Sequence, residues 1–245
     1  MKNNLKLQLI NGTKMPKISF VMPAHNRDDL IKESVQSILD QTEKDWELII
    51  VDDHSDADDK TEEIIKFFND ARIKYFKLPD MSGRGVSCAR NYGNAMAQSK
   101  IIAVCDSDDI YLPARTKLIL DSFEREKWDI FYGKYLTFKE GQEAKEDEGN
   151  KQIPFDLAEF KKKDFIPNGS SAYTKKIAAH YPYNSFLNSS EDYDFFSRAA
   201  IDGKKFYFCD QYIFKYRVHA NSISAGTSNK EFDSFVKENR GWETK

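Results

Sequence analysis

Three carboxylates within four consecutive positions are the feature of this sequence best suited to chemistry. Residues 106–109 read Asp-Ser-Asp-Asp and directly follow 101–105, an apolar run typical of a short buried strand. Carboxylates this close repel one another unless a cation or a hydrogen-bond network offsets their charge, and such oxygen ligands suit Mg²⁺ or Mn²⁺. Alternatively, Asp108 or Asp109 caps a helix before Pro113. A pattern this short leaves both interpretations open.

A second predicted strand, residues 47–51, also ends in carboxylates, at Asp52 and Asp53. Carboxylates at a strand end can accept hydrogen bonds from the base or ribose of a bound nucleotide. The alternative is again helix capping, by Asp53 or Ser55. Because the carboxyl ends of parallel strands meet at one edge of a sheet, two acidic strand ends together favour a ligand site there.

Two loops are predicted to bring further polar groups to this edge. Pro23, His25 and Asn26 follow the first strand, and the His25 ring is suited to stacking on a base, although a loop histidine is often simply exposed. Arg84 lies between two glycines, and Arg90 follows in a predicted helix. Glycines allow close backbone approach, and both arginines can pair with phosphates.

The two common phosphate-binding motifs do not fit this glycine-rich segment. A G-x-G-x-x-G motif beginning at Gly83 would need a third glycine where Cys88 stands, and three residues, 80–82, intervene after the preceding strand. A P-loop is excluded because no G-K-[ST] sequence is present.

Two further segments with chemical potential lie in the second half of the chain. Glu191 and Asp192 open a predicted helix, where acidic residues are favoured by the helix dipole and need no function. One of these carboxylates is also suited to act as a general base that takes a proton from an attacking hydroxyl. His219 follows the last predicted strand and is either a surface residue or a contact to metal or phosphate.

Strands and helices alternate through the first half, which predicts βαβ units and a mostly parallel sheet flanked by helices. The predicted strands are 18–22, 47–51, 73–77 and 101–105, and the predicted helices are 28–40, 61–69 and 86–98. The second half is more mixed: a strand over 129–138, a charged mobile loop over 140–151, a helix over 191–201, strands over 206–209 and 213–218, and a short helix over 232–236.

Length and composition bound the class of protein. The 245 residues suffice for one large domain, and the net charge of −3 gives no indication of nucleic-acid binding. The three cysteines are far apart, which favours reduced core thiols and a reducing compartment. No apolar run approaches the roughly 20 residues that cross a bilayer, and no secretory signal is expected. Three lysines at 161–163 either touch an anionic membrane surface or form a solvated helix face.

From residue 18 to 224 the sequence resembles the large family-2 glycosyltransferases of the GT-A fold, which use nucleotide-sugar donors and invert the anomeric centre. The segments that carry the resemblance, in the family's order, are 18–26 (ISFVMPAHN), 51–55 (VDDHS), 89–93 (ARNYG), 106–109 (DSDD), 191–192 (ED) and 216–219 (YRVH). One position departs from the family: His25 stands where a tyrosine usually stacks on the base. This substitution leaves the preference for uridine open.

The resemblance implies a nucleotide site and a metal site. Asp53 would contact the base, usually uracil, and Asp106 the ribose. Asp108 would bind a divalent metal, Mn²⁺ or Mg²⁺, that bridges the diphosphate, with His219 approaching the metal or the diphosphate. The other implied donor-site residues are Pro23, His25, Asn26, Arg84, Arg90 and Ser107.

The resemblance also implies the reaction. Asp192 would be the catalytic base, with Glu191 beside it, in an inverting transferase of the hexosyltransferase type. The sugar would pass from a nucleotide-diphosphate donor, usually a UDP-sugar, to a hydroxyl of a glycan or lipid-linked acceptor in surface polysaccharide synthesis. We expect a cytoplasmic protein, with peripheral contact at the inner face of the membrane.

The expected domain organisation follows from the same alignment of motifs. Residues 1–16 are a loose leader, 17–225 form one GT-A domain, and 226–245 are a tail. Within the domain, 17–128 are the nucleotide-binding half and 129–225 the acceptor half.

Two alternatives are kept. A nucleotidylyltransferase uses a similar fold and a divalent metal, but it usually carries a glycine-rich loop with a basic residue after the first strand, where this chain has Pro-Ala-His-Asn at 23–26. The second alternative is a non-catalytic module that binds sugar nucleotides or carbohydrate. Replacement of Asp192 by Asn separates a module, which keeps its function, from a transferase, which keeps donor binding and loses turnover.

Overall fold

The computed structural model describes residues 9–10, 13–147, 149–187, 189–219 and 229–242. The strands are β1 (Leu9–Ile10), β2 (Thr13–Lys14), β3 (Ile18–Ala24), β4 (Trp46–Asp52), β5 (Ile73–Lys77), β6 (Ile101–Val104), β7 (Ile110–Tyr111), β8 (Ile130–Phe138), β9 (Lys145–Glu146), β10 (Ala172–Thr174) and β11 (Phe206–Arg217). The helices are α1 (Ile31–Leu39), α2 (Thr61–Phe67), α3 (Val86–Met96), α4 (Arg115–Glu126), α5 (Leu157–Lys162), α6 (Lys175–His180), α7 (Glu191–Ile201) and α8 (Asn229–Asn239), with 3-10 turns at Asp80–Ser82 and Asn168–Ser170.

A nine-stranded sheet organises the molecule, in the order β5-β4-β3-β6-β10-β8-β11-β7 with β9 paired to β8. The strands β5, β4, β3 and β6 are parallel, as the sequence predicts. The short strand β10 runs antiparallel between β6 and β8, and β11 is parallel to β8. The sheet is therefore parallel in the first half of the chain and mixed in the second.

Both faces of the sheet are covered, because residues on β3 and β4 alternate between two cores. Val21, Ile49 and Val51 face a core that includes residues of α3 and α7. Phe20 and Leu48 face the opposite core, with residues of α1, α2 and α4. All residues of β3 and β4 are buried, which is typical of parallel strands between two helical layers. These central strands thus form a rigid base for the loops at their carboxyl ends.

The first half has the predicted elements with shorter helices. The helix predicted over 28–40 begins at Ile31, because residues 28–30 form a turn. The helix α4 was not predicted, and neither were α5, α6 and β10. Capping by Asp108 or Asp109 is not what the structure shows, because Ile110–Tyr111 form a strand on β11 and the next helix begins only at Arg115.

The second half differs more from the prediction. The strands predicted over 206–209 and 213–218 are one strand, β11, whose register against β8 shifts on either side of Tyr212. Asp210 and Gln211, in the gap between the two predicted strands, therefore lie at a local irregularity within a continuous strand. The charged segment 140–151, predicted as a mobile loop, contains β9. The short helix predicted over 232–236 is part of the longer α8.

The segment after residue 228 packs against the rest of the chain. Val236 and Trp242 are buried, and the Trp242 ring centroid lies 6.0 Å from that of Tyr193 on α7 and 6.4 Å from that of Phe160 on α5. Cys88, Cys105 and Cys209 are buried free thiols. Within the described residues, no helix combines the length and the apolar character needed to cross a membrane.

The close approach of α3 to β3 predicts a steric effect at Gly93. A Cβ atom there would lie 2.5 Å from Cγ1 of Val21, a buried residue of β3. Overpacking of this kind costs about 1–3 kcal/mol. We therefore expect Gly93→Ala to lower the free energy of unfolding by that amount in urea titrations, despite the better helix propensity of alanine. Gly149→Ala, whose Cβ would meet nothing closer than 3.4 Å, is the control and should change little.

Candidate active site

A cleft of about 860 Å³ opens where β3, β4 and β6 end. Its walls come from both halves of the chain, so the sheet edge and the start of α7 face one cavity. The predicted site residues that line it are Pro23, His25, Asp53, Arg84, Arg90, Asp106, Ser107, Asp108, Glu191 and Asp192. Of the predicted residues, Asn26 and His219 are not among the lining residues.

Asp53 is fixed at the end of β4 by hydrogen bonds on both sides. Its backbone N–H donates to the carbonyl of Ala24 at 2.7 Å, and its Oδ2 accepts from the backbone N–H of Gly85 at 2.7 Å. Gly85 has a φ of +98°, a conformation that favours glycine, so this contact depends on that residue type. Nδ1 of His25 lies 2.8 Å from the Asp53 carbonyl oxygen, which orients the imidazole at the cleft wall.

Asn26 serves the turn after β3. Its Nδ2 donates to Oδ2 of Asp56 at 2.8 Å, and its Oδ1 accepts from the backbone N–H of Asp56 at 2.8 Å. Its own backbone N–H donates to Oγ of Ser55 at 2.9 Å. These bonds tie the β3 loop to the β4 loop and occupy the amide that was predicted to face the nucleotide.

Asp109 is the most buried carboxylate of the acidic cluster, with 1% of its surface exposed. Oδ1 accepts from the backbone N–H of Arg217 at 2.9 Å, whereas Oδ2 is buried without a hydrogen bond. Burial raises the pKa of this carboxyl well above its usual range, and the neighbouring charges of Asp108 and Asp106 add to the shift.

Asp108 meets a histidine from the other half of the chain. Oδ2 of Asp108 lies 3.1 Å from Nε2 of His219 and 3.6 Å from Nη2 of Arg27. Among the described residues, no group of three or more His, Cys, Asp or Glu side chains is arranged to hold a metal by itself. Mg²⁺ is usually bound through one or two carboxylates together with substrate phosphates, so a protein contribution as small as this pair fits such an ion. Oδ2 of Asp109, which has no hydrogen bond, belongs to the same acidic cluster.

Glu191 and Asp192 form the first turn of α7. The preceding Ser190 has a φ of +57° and donates its hydroxyl to Oδ1 of Asp233 on α8 at 2.6 Å. Asp192 faces the cleft, where burial raises the pKa of its carboxyl to about 7, with a further contribution from the charge of Glu191. A carboxylate with such a pKa is suited to general base catalysis near neutral pH.

The two predicted arginines are placed differently. Arg84 is exposed on the cleft wall. Arg90 is buried, and its Nη1 and Nη2 donate to Oε1 of Glu191 at 2.5 Å and to Oδ1 of Asp106 at 2.9 Å. The structure therefore brings Asp106 and Glu191 together through one guanidinium.

Two site residues had no predicted role. Arg217 is buried beside His219, and its Nε donates to the carbonyl of Asp108 at 2.9 Å, so it fixes the backbone that carries the acidic cluster. Its Nη groups bind the exposed carboxylates of Glu33 and Glu140. The signal in the sequence was its place in segment 216–219 (YRVH), which carries the family resemblance, although no role was expected of it.

Asp164 is the other site residue without a predicted role. It lines the cleft near Asp192, but it comes from a stretch of mixed pattern that gave no signal. Burial raises the pKa of its carboxyl well above the usual range, and the charge of Asp192 adds to this. Its Oδ1 accepts from the backbone N–H of Ile166 at 2.9 Å.

The raised pKa of Asp164 predicts a pH-dependent effect on stability. The carboxyl ionises at an ordinary pKa of about 4 in the unfolded chain and at a higher pKa in the folded protein, so its ionisation opposes folding increasingly as the pH rises above about 4. Asp164→Asn removes this charge and keeps an oxygen for Ile166. We expect its free energy of unfolding to exceed that of the wild type at pH 7.5 and to match it at pH 4.

Urea unfolding at the two pH values measures this difference. Asp58→Asn, at an exposed position, is the control and should show no pH-dependent gain. If Asp164→Asn raised the free energy of unfolding equally at both pH values, the charge of Asp164 would not be the cause of the stabilisation.

Comparison with protein families gives one match that covers most of the chain. The family described as Glycosyl transferase family 2 matches residues 19–187. A similar sequence is the uncharacterized glycosyltransferase MJ1057 of Methanocaldococcus jannaschii, 34% identical over 217 residues, which are 86% of this chain and 73% of that protein.

Two relatives carry more specific names. The UDP-Glc:alpha-D-GlcNAc-diphosphoundecaprenol beta-1,3-glucosyltransferase WfgD of Escherichia coli is 33% identical over 48% of this chain and 45% of its own length. The poly(ribitol-phosphate) beta-N-acetylglucosaminyltransferase TarP of Staphylococcus aureus is 29% identical over 77% of this chain and 55% of its own length. This chain thus spans about half the length of each.

A solved structure has the same fold. The crystal structure of residues 1–349 of S. aureus TarS in complex with UDP-GlcNAc superposes with a TM-score of 0.73 at 19% identity, covering 90% of this chain and 64% of that one. The similarity confirms the predicted α/β architecture with a mostly parallel central sheet.

Proposed function

The chain belongs to glycosyl transferase family 2, and we propose that it transfers a sugar from a UDP-sugar to a hydroxyl of a lipid-linked or polymeric glycan in surface polysaccharide synthesis. The observation that carries this proposal is that Asp53, Asp106, Asp108 and Asp192 line one cleft. Relatives named for a UDP-Glc donor with a diphosphoundecaprenol acceptor and for a poly(ribitol-phosphate) acceptor support the classes of donor and acceptor.

The donor lies along the sheet edge in this proposal. Asp53 accepts hydrogen bonds from the base, and the oriented ring of His25 stacks on it. Pro23 completes this end of the cleft. Asp106 and Ser107 contact the ribose, and the exposed guanidinium of Arg84 faces the diphosphate.

The pair Asp108 and His219 would hold Mn²⁺ or Mg²⁺ against the diphosphate. When bound, such a cation stabilises the negative charge that develops on the leaving nucleoside diphosphate. Burial, together with the charges of Asp108 and Asp106, raises the pKa of the Asp109 carboxyl behind the pair and so favours its neutral form. Arg217 keeps the pair in place through the Asp108 carbonyl.

The acceptor hydroxyl enters from the side of residues 129–225 and attacks the anomeric carbon opposite the leaving group. Asp192 takes the proton of this hydroxyl, so the new glycosidic bond forms as the bond to the diphosphate breaks, with inversion. No covalent intermediate on the protein is needed. Family membership favours glycosyl transfer over nucleotidylyl transfer and over a non-catalytic module.

The proposed location is the cytoplasm, at the inner face of the membrane where a lipid-linked acceptor presents its sugar. The buried free thiols agree with a reducing compartment. The contact with the membrane would be peripheral.

The donor assignment is tested by thermal unfolding with UDP, GDP, CDP or dTDP, each with and without Mn²⁺. A ligand that binds only the folded state at a hundredfold excess over its Kd adds about 2.7 kcal/mol of stability, which for a chain of this size raises Tm by roughly 5–10 °C. We expect this rise for UDP with Mn²⁺ and a much smaller one without the ion.

Asp108→Ala should abolish the Mn²⁺-dependent part of the rise, whereas Asp121→Ala on the exposed side of α4 should keep it. An equal rise with and without Mn²⁺ would contradict the metal assignment. A larger rise with another nucleotide would show that His25 in place of tyrosine has changed the base preference.

The raised pKa of Asp192 predicts the pH dependence of turnover. Only the ionised carboxylate accepts a proton, and its pKa is about 7, so the rate of UDP release from UDP-Glc or UDP-GlcNAc should fall about tenfold per pH unit below 7. Because the charge of Glu191 contributes to the raised pKa of Asp192, Glu191→Gln should shift this fall in rate to lower pH.

Asp192→Asn tests the assignment of the general base directly. It should lower turnover by about 10²–10⁴-fold at pH 8 and leave the UDP–Mn²⁺ thermal shift unchanged, because it removes the base and not the donor site. An Asp192→Asn protein with wild-type turnover would refute the assignment of the base.

A further inference from the structure

Arg90 joins the two ends of the cleft. It comes from α3 and contacts Asp106 after β6 and Glu191 at the start of α7, residues that are 16 and 101 positions away in the chain. Its side chain is only 6% exposed, and the two carboxylates keep its pKa well above the usual value, so the guanidinium is always charged.

Both terminal nitrogens of Arg90 are directed at protein acceptors. Nη1 donates to Glu191 at 2.5 Å and Nη2 to Asp106 at 2.9 Å. With the Asn168 amide oriented so that its nitrogen donates to the Tyr183 hydroxyl, its oxygen accepts from the same two nitrogens at 3.1 and 3.2 Å. The four Nη hydrogens thus have four acceptor contacts within the protein, which leaves none of them for a phosphate oxygen.

We propose that Arg90 is a positioning residue, which braces the Glu191–Asp192 turn of α7 against Asp106 and does not bind the diphosphate. This inference rests on the proposed function and replaces the phosphate-pairing role expected from the sequence. The brace, defined as Asp106, Arg90, Glu191 and Asn168, sets the distance from the donor end of the cleft to the base.

The geometry matters more here than the energy of the ion pairs. Buried ion pairs often contribute little net stability, because desolvation offsets the attraction. Misplacement of a reacting group by about 1 Å, however, can lower a rate about 10²-fold. A planar guanidinium holds two carboxylates in a fixed relation, which the single ammonium of lysine does not.

The test compares Arg90→Lys with Arg84→Ala on two readouts: the Kd of UDP with Mn²⁺ from calorimetry, and turnover of UDP-Glc and UDP-GlcNAc. For Arg90→Lys we expect a Kd within about threefold of the wild type and turnover about 100-fold lower. For Arg84→Ala, which removes a cation facing the diphosphate, we expect at least tenfold weaker UDP binding. Arg125→Lys, at an exposed position on α4, should change neither.

A double-mutant cycle with Glu191→Gln tests whether Arg90 acts through Glu191. If the two residues form one unit, Arg90→Lys should cost less than tenfold in turnover when Glu191 is already Gln, compared with about 100-fold in the wild type. Should Arg90→Lys unfold at the assay temperature, Glu191→Gln carries the test. It weakens the same contact from α7 and should lower turnover at pH 8, above the pKa of Asp192, while UDP binding is kept.

Two results would overturn the brace. One is a loss of UDP binding in Arg90→Lys as large as the loss of turnover, which would make Arg90 a donor ligand. The other is an equal fold-loss of turnover on Arg90→Lys in the wild type and in the Glu191→Gln protein. Failure of the proposed function looks different, because the wild-type protein itself would then neither bind UDP with Mn²⁺ nor release UDP from either donor.

Discussion

The concentration of negative charge at one edge of the sheet is the constraint on which the rest of the structure depends. Asp53 follows β4, and Asp106, Asp108 and Asp109 follow β6. These two strands lie on either side of β3 and parallel to it, so the carboxylates reach the same edge of the sheet. Three of them are offset by neighbouring groups: Asp53 by a backbone N–H and by His54, Asp106 by a guanidinium, and Asp108 by His219. Among these four carboxylates, Oδ2 of Asp109 is buried without a hydrogen-bond partner.

The charges that offset this edge come from distant parts of the chain. Arg217 and His219 reach it from the end of β11, which pairs in parallel with β8. Arg90 reaches it from α3 and continues to Glu191. The mixed second half therefore offsets the acidic edge of the first half, and the Arg90–Glu191 contact holds the first turn of α7, which carries Asp192, at the same cleft.

The central strands are held rigidly because they lie between two cores. β3 and β4 are buried along their whole length, and their side chains alternate between the core of α3 and α7 and the core of α1, α2 and α4. Since α7 belongs to one of these cores through Phe195 and Phe196, the turn that carries Asp192 is held both by packing and by the Arg90 brace. For Asp192 in its proposed role as the general base, a side chain held in this way needs little reorganisation during the reaction.

The sequence by itself determined the parallel strands, the helices between them and the acidic strand ends, because buried strands and amphipathic helices have strong periodicity and a strand end is visible as the place where apolar residues stop. It did not determine α4, the continuity of β11 or the use of Asn26 in a turn, since short mixed segments and bulges have weak local signals. The tertiary structure alone decided the partners of Arg90, the burial of Asp164 and the pKa of Asp192. These depend on charges and packing contributed by residues far apart in the chain, and no local pattern records such distances.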